Sequence, residues 1–195
     1  YNGIAWSAEA TLNPNTGTAG VNSAAGTQTA VINSQNNSGG APYNSAGEYD
    51  GSSWSNAEDR PASNYSDGSA GTQTAGLFFG GAASPSSLTN ATISYDGTNW
   101  TVEESMSTTR SIAGGSGIAT AALACGGITT APATLTDATE EYGGESWTAG
   151  GTLLTTLRDH RASGPSTDAI VAGGRIGGAP PTVFLTASTT YDGTS

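Results

Sequence analysis

Lysine is absent from this chain of 195 residues, and histidine, cysteine and methionine occur once each. With Cys125 the only thiol and His160 the only imidazole, no internal disulfide can form. Neither a cysteine-based zinc site nor a copper centre needing several histidines can be assembled, and no cofactor is expected. Charge is scarce as well: 11% of residues are ionic, and 16 carboxylates against five arginines give a formal charge of −11. A field of that sign repels phosphate backbones and anionic headgroups, which argues against nucleic acid and membrane partners. Long apolar runs are missing, so no membrane insertion is expected, and no basic start followed by an apolar stretch reads as a signal peptide. The chain opens on Tyr1 inside a repeat, as a processed or fragmentary product would.

What is present is glycine, at 29 residues, among abundant Ser, Thr, Ala and Asn. Composition alone would fit a disordered linker. The placement of the aromatics argues otherwise. Tyr95-Asp96-Gly97-Thr98-Asn99-Trp100 recurs as Tyr1 to Trp6, Tyr49 to Trp54 and Tyr142 to Trp147, and begins again at Tyr191-Asp192-Gly193. The steps from Tyr to Tyr are 48, 46, 47 and 49 residues, a period that marks one supersecondary unit repeated in space across residues 1–195.

No segment carries an apolar stripe of helical period, while every unit offers short β-branched or aromatic runs bounded by Gly, Asn, Asp or Pro. Four short strands per unit are predicted. The first follows the position of Arg110, and the second is an apolar run closing on a glycine pair, as Leu77 to Gly81, Leu123 to Gly127 and Ile170 to Gly174. The third ends on the Tyr, and the fourth carries the Trp across an Asp-Gly hairpin. A sheet of that size cannot bury both faces alone, so copies must stack around an axis. The expected fold is therefore an all-β propeller of four-stranded blades. If the strand of Trp6 completes the sheet begun after Arg158, N- and C-terminal strands close a ring of four; otherwise the chain is part of a larger propeller. Within strands, the period of two puts Ala91, Ile93 and Tyr95 on one face and Trp100 with Val102 on one face of the next. The aromatics become packing between blades, the alternative being exposed platforms for sugars. Glycine pairs suit strands converging toward the axis, where a Cβ would clash.

The order Arg, apolar strand, Gly-Gly, Tyr-Asp, Trp resembles the kelch repeat, which forms one propeller blade. Arg110, Gly126-Gly127, Tyr142 and Trp147 match it in one unit, and Arg158, Gly173-Gly174 and Tyr191-Asp192 begin another. Gly-Thr-Gln-Thr-Ala, at Gly26 and again at Gly71, followed by an apolar run and Tyr-Asp-Gly-Ser-Ser-Trp, is similar more narrowly to kelch-like repeat proteins encoded by phages of marine bacteria. That resemblance implies a virion surface or tail-fibre component. Departures are visible: Asn64 stands where Arg110 would, with Arg60 out of register, Asn33 replaces a glycine of the pair, and Gly143 replaces Asp. An Arg in two units of four suits a local ion pair or carbonyl contact. The Asp-box of sialidases fails by one residue of spacing before Trp.

Catalytic constellations are missing. His160, beside Asp159, lies in a polar connector and reads as a solvated loop residue; Cys125, in an apolar run, reads as a buried small hydrophobe. Glu103-Glu104 and Glu140-Glu141 alternate across strands, so neither pair can share a glycosidic bond. Asn36, Asn64, Asn90 and Asn99 match the N-glycosylation acceptor pattern by composition. The variable segments between glycine pair and Tyr, 35–43, 82–88, 128–133 and 175–184, behave as loops of one rim, where any ligand would be sought. The function expected is a non-enzymatic, structural or adhesive propeller on a virion or cell surface, extracellular. Its partners would be other virion or surface proteins or a host glycan. The alternatives are an assembly scaffold, homo-oligomeric or within a virion, and a glycan-active enzyme.

Overall fold

The computed structural model describes residues 10, 23–34, 44–84, 86–130, 134–177 and 183–194, and among these it is all β, without a helix. Blade I comprises β1 (Ser23–Thr27), β2 (Ala30–Ser34), β3 (Ala46–Tyr49) and β4 (Trp54–Asn56). Blade II begins with β5 (Gly68–Thr72) and β6 (Ala75–Phe79), which run into a small hairpin of β7 (Ala82–Ser84) and β8 (Ser87–Leu88). It is completed by β9 (Thr92–Tyr95) and β10 (Trp100–Glu103). Blade III repeats this plan in β11 (Gly114–Ile118), β12 (Ala121–Cys125), the hairpin β13 (Ile128–Thr130) and β14 (Thr134–Leu135), β15 (Thr139–Tyr142) and β16 (Trp147–Ala149). Blade IV has β17 (Arg161–Ser163), β18 (Ala169–Ala172), the hairpin β19 (Arg175–Ile176) and β20 (Val183–Phe184), and β21 (Ser188–Tyr191). Every blade is an antiparallel meander in sequence order, as the Asp-Gly hairpins predict. The Trp6 strand expected to complete blade IV lies outside the described residues.

The first strands of successive blades, β1, β5, β11 and β17, lie side by side in that order. All four border one central cavity, so the four sheets form the ring of a four-bladed propeller. Two recurring motifs lock each blade at the opposite end of these strands. Gln28-Thr29, Gln73-Thr74 and Ala119-Thr120 are two-residue turns between first and second strands. Over them folds the turn between third and fourth strands: Gly51, Gly97, Gly144 and Gly193 have φ of 93°, 97°, 90° and 84°. An added Cβ there would touch Thr29, Thr74, Thr120 and Thr167 at 3.1–3.4 Å. The carboxylate of Asp96 accepts the Thr98 and Asn99 amides at 2.8 and 2.7 Å, and that of Asp50 the Ser52 and Ser53 amides. Those bonds hold both carboxyls below the usual range, Asp50 at about 2.

The core is a set of layers between blades. Ile32 and Ala46 of blade I pack against Phe78, Ile93 and Tyr95 of blade II; Leu77 and Phe79 against Ala122, Tyr142 and Trp147 of blade III; Leu123 and Cys125 against Ala169, Val171 and Tyr191 of blade IV. Phe79 and Trp147 meet edge-on at 5.0 Å across the second layer, where Trp147 Nε1 also donates to Thr92 Oγ1. Tyrosine clasps close the outer part of each layer. Tyr95 donates to Glu48 of the preceding blade at 3.1 Å, and Tyr191 donates to Glu141. In the middle junction Ser94 stands at that glutamate's position, and Glu103 takes over beside Tyr142. The repeated aromatics are thus packing between blades, with Tyr49, Tyr95, Tyr142 and Tyr191 all buried. Val102, which shares its face of the outermost strand β10 with Trp100, is 67% exposed.

Candidate functional site

The face at which the first strands begin collects two kinds of segment: the connectors entering those strands and the hairpins that follow the glycine pairs. From the sequence the latter are expected to be loops. They fold as hairpins because the glycine pair, both members at positive φ, turns the chain out of the second strand and lays it beside the connector's backbone. Bridges join Tyr65 to Ala82, Ser111 to Ile128 and Arg158 to Arg175. The glycine pairs make this approach: Gly81, Gly127 and Gly174 have φ of 97°, 98° and 90°, and a Cβ would lie 2.7, 2.6 and 2.8 Å from the carbonyls of Tyr65, Ser111 and Arg158. The close contact expected at the axis is therefore with the connectors instead. Segments 35–43, 131–133 and 178–182, with Pro85, fall outside the described residues.

One step further, Ser66, Ile112 and Asp159 occupy the same repeat position and all adopt positive φ, at 57°, 57° and 59°. Ile112 N–H donates to Ser66 O at 2.8 Å and Asp159 N–H to Ile112 O at 3.4 Å, so backbone bonds run from blade to blade around the mouth. A left-handed residue costs on the order of 1–3 kcal/mol, most for a β-branched one, and the belt of bonds holds it. Inside this belt lies the cavity of about 340 Å³, lined by Ser23, Ser66, Ser69, Gly114, Arg161 and their neighbours.

Buried ion pairs support the mouth. Arg110, fully buried, donates to Glu140 at 2.6 Å and to the carbonyls of Ala138 and Gly126 at 2.8 and 3.3 Å, while its own carbonyl accepts Gly81 N–H. The expected ion pair and carbonyl contact are both found, and they tie blade II to blade III. Asn64 holds the equivalent place and donates to Gly80 O at 2.8 Å. Arg60, from the position of Met106, pairs with Asp67 at 2.6 Å, both side chains fully buried. Nothing in the sequence links residues seven apart in a connector. Arg158 is one residue past the Arg110 position, which Leu157 takes, since it is Leu157 O that accepts Gly127 N–H. The kelch-like register of Arg158 is therefore corrected. Asn33 likewise sits inside β2, opposite Gly47, and does not replace a glycine of the pair.

His160 is buried, 1% exposed, contrary to the solvated loop expected. It follows the left-handed Asp159, and that turn of the backbone directs its ring between blades III and IV. Its Nε2 lies 3.0 Å from Cys125 O, 3.2 Å from Gly114 N and 3.4 Å from Cys125 Sγ. Burial lowers the imidazole's pKa and pushes the Cys125 thiol up to about 12, leaving a neutral, unreactive pair. Cys125 is the buried hydrophobe expected. Glu140 and Glu141 face opposite ways, to Arg110 and Tyr191. Asn64 is buried, which removes it as a glycan acceptor. Among the described residues no group of three His, Cys, Asp or Glu side chains could hold a metal ion.

No protein-family model matches the chain, and no curated protein does. Solved structures do: one described as "Structure of YjhT" aligns with a TM-score of 0.64 at 13% identity, over 74% of this chain and 48% of that one. The chain spans about half the length of that structure, and at such identity the likeness is one of fold.

Proposed function

We propose that the chain is a structural and adhesive propeller of a virion or cell surface, non-enzymatic, that contacts a glycan or a protein through the hairpins around the cavity mouth. The observation that carries this reading is the division of labour within the repeat. Strands and turns recur from blade to blade, whereas β7–β8, β13–β14 and β19–β20 differ in sequence and cluster at one face, pinned by backbone bridges. Variable segments on a rigid ring are how scaffolds carry recognition. The kelch-like order of motifs, and the similarity of the Gly-Thr-Gln-Thr-Ala and Tyr-Asp-Gly-Ser-Ser-Trp wording to phage-encoded repeats, support the reading of a virion or tail-fibre component. A glycan array probed with the isolated protein tests it. Binding should appear and should vanish when the three hairpins are shortened to tight turns, with the melting temperature held; failure to retain any glycan or surface protein would overturn it. Assembly is favoured as a second reading by Phe184 and Val183, 74% and 49% exposed on one hairpin. In that case sedimentation would show oligomers that Phe184→Ser disperses. A hydrolysis screen against host polysaccharide separates both from a glycan-active enzyme.

A further inference from the structure

We infer that the central cavity is a carboxylate subsite in which Arg161 receives the acid group of a uronic-acid-type sugar; this rests on the adhesive reading above and names its ligand class. The argument starts from a break in the repeat. Ser23, Gly68, Gly114 and Arg161 are equivalent, each pairing with the last residue of its second strand. In blades II and III the position must be glycine, because a Cβ would run into the Phe79 ring or, at 2.6 Å, into His160 Nε2. In blade IV the cross-strand neighbour is Ala172, small and exposed, and the same position carries an arginine that lines the cavity.

That arginine is set apart by its charge balance. Arg60 pairs with Asp67, Arg110 with Glu140, and Arg158 and Arg175 with Asp159. Among the described residues, which include every acidic side chain but Glu9, Arg161 meets no carboxylate; its guanidinium donates to His160 O at 2.9 Å. Most of its five donors remain for a ligand in a fork that fits a carboxylate. Asp67 also borders the cavity, but its carboxylate is turned into Arg60 and fully buried, so it does not compete.

The rest of the lining selects the ligand's body. Ser23 and Ser69 hydroxyls already donate to Asp67 O and Ala24 O, so they face the cavity as acceptors. Acceptors suit the O–H groups of a sugar and disfavour a bare anion. A net charge of −11 penalises each further negative charge, which favours a monoanion over a phosphate dianion. The volume of about 340 Å³ is near the lower end for small-ligand pockets, which suits a single sugar ring.

Titration calorimetry of the whole chain with glucuronate, galacturonate, glucose, galactose and acetate tests this. The uronates should bind more tightly than the neutral sugars and acetate, and weaken as sodium chloride is added. Arg161→Gln should lose roughly tenfold or more in uronate affinity, as removal of a charge-assisted pair does, with Arg161→Lys intermediate and both melting as the parent does. Equal binding of uronates and neutral sugars, an unchanged Arg161→Gln, acetate matching the uronates, or no binding at all would each overturn the inference. A positive glycan array alongside any of these leaves the adhesive reading standing and removes only the carboxylate subsite. Should Arg161→Gln fail to fold, the salt dependence and the uronate-to-neutral ratio of the parent chain decide the matter.

Discussion

At the scale of single residues, the buried charges decide most. Arg110 is held by one carboxylate and two carbonyls, and Glu140 also accepts the Ser107 amide at 2.7 Å and its hydroxyl at 2.8 Å. Removing one partner of such a pair strands a charge out of water, at a cost of about 3–5 kcal/mol, whereas removing both leaves only unpaired neutral groups. Arg110→Met should therefore lower stability by about that amount. Arg110→Met with Glu140→Met should recover part of the loss, the remainder reflecting the bonds that the Ala138 and Gly126 carbonyls lose and the Ser107 amide and hydroxyl left without Glu140. Urea midpoints of the three proteins check this; equal midpoints for single and double variants would show that the ion pair is not what matters. Arg110's role could be read from sequence because a lone arginine ahead of an apolar strand closing on Gly-Gly suits an ion pair or carbonyl contact, whereas Arg60 and Asp67 meet only once a connector folds back.

At the scale of elements, third strands do double duty: Tyr95 and Tyr191 each pack the layer shared with the preceding blade and donate to a glutamate of that blade, Glu48 and Glu141. Burial, and then the hydrogen bond to Glu48, pushes the Tyr95 hydroxyl up to about 12 from 10.0. The folded chain thus holds this proton more tightly than the unfolded one. The stabilisation is complete below about pH 10 and is lost as pH rises toward 12. Tyr142 and Tyr191 are raised in the same sense, each first by burial. Tyr95→Phe should melt lower at neutral pH, having lost the bond to Glu48, yet fall less steeply between pH 10 and 12. Melting temperature against pH for both proteins provides the test, and parallel curves would deny the clasp. The hairpins after the glycine pairs illustrate the reverse case. Their residues carry no pattern of period two long enough to be called strands, and they become strands because a connector's free backbone lies beside them.

At the scale of the whole molecule, stability is a chain of layers, each shared by two neighbouring blades. Phe79 spans the second layer, against Trp147 of blade III. Phe79→Ala opens a cavity there, costing about 3–5 kcal/mol. Because repeats couple chiefly to their neighbours, amide exchange should quicken first in β6, β12 and β15 and least in β2 and β3. Uniform acceleration across all blades would show instead one indivisible core.

The period of 46 to 49 residues, the Tyr-Asp-Gly hairpin and the apolar run into Gly-Gly were enough to determine blades, strand order and inter-blade aromatics, because each is a local pattern repeated. Which connector each glycine pair touches, why His160 is buried beside Cys125, and why Arg161 meets no carboxylate among the described residues were decided only by the ring. Those facts depend on backbones from 16 residues apart, as Gly81 and Tyr65, to 46 apart, as Gly114 and His160, being brought into contact, and nothing in a linear pattern carries that distance.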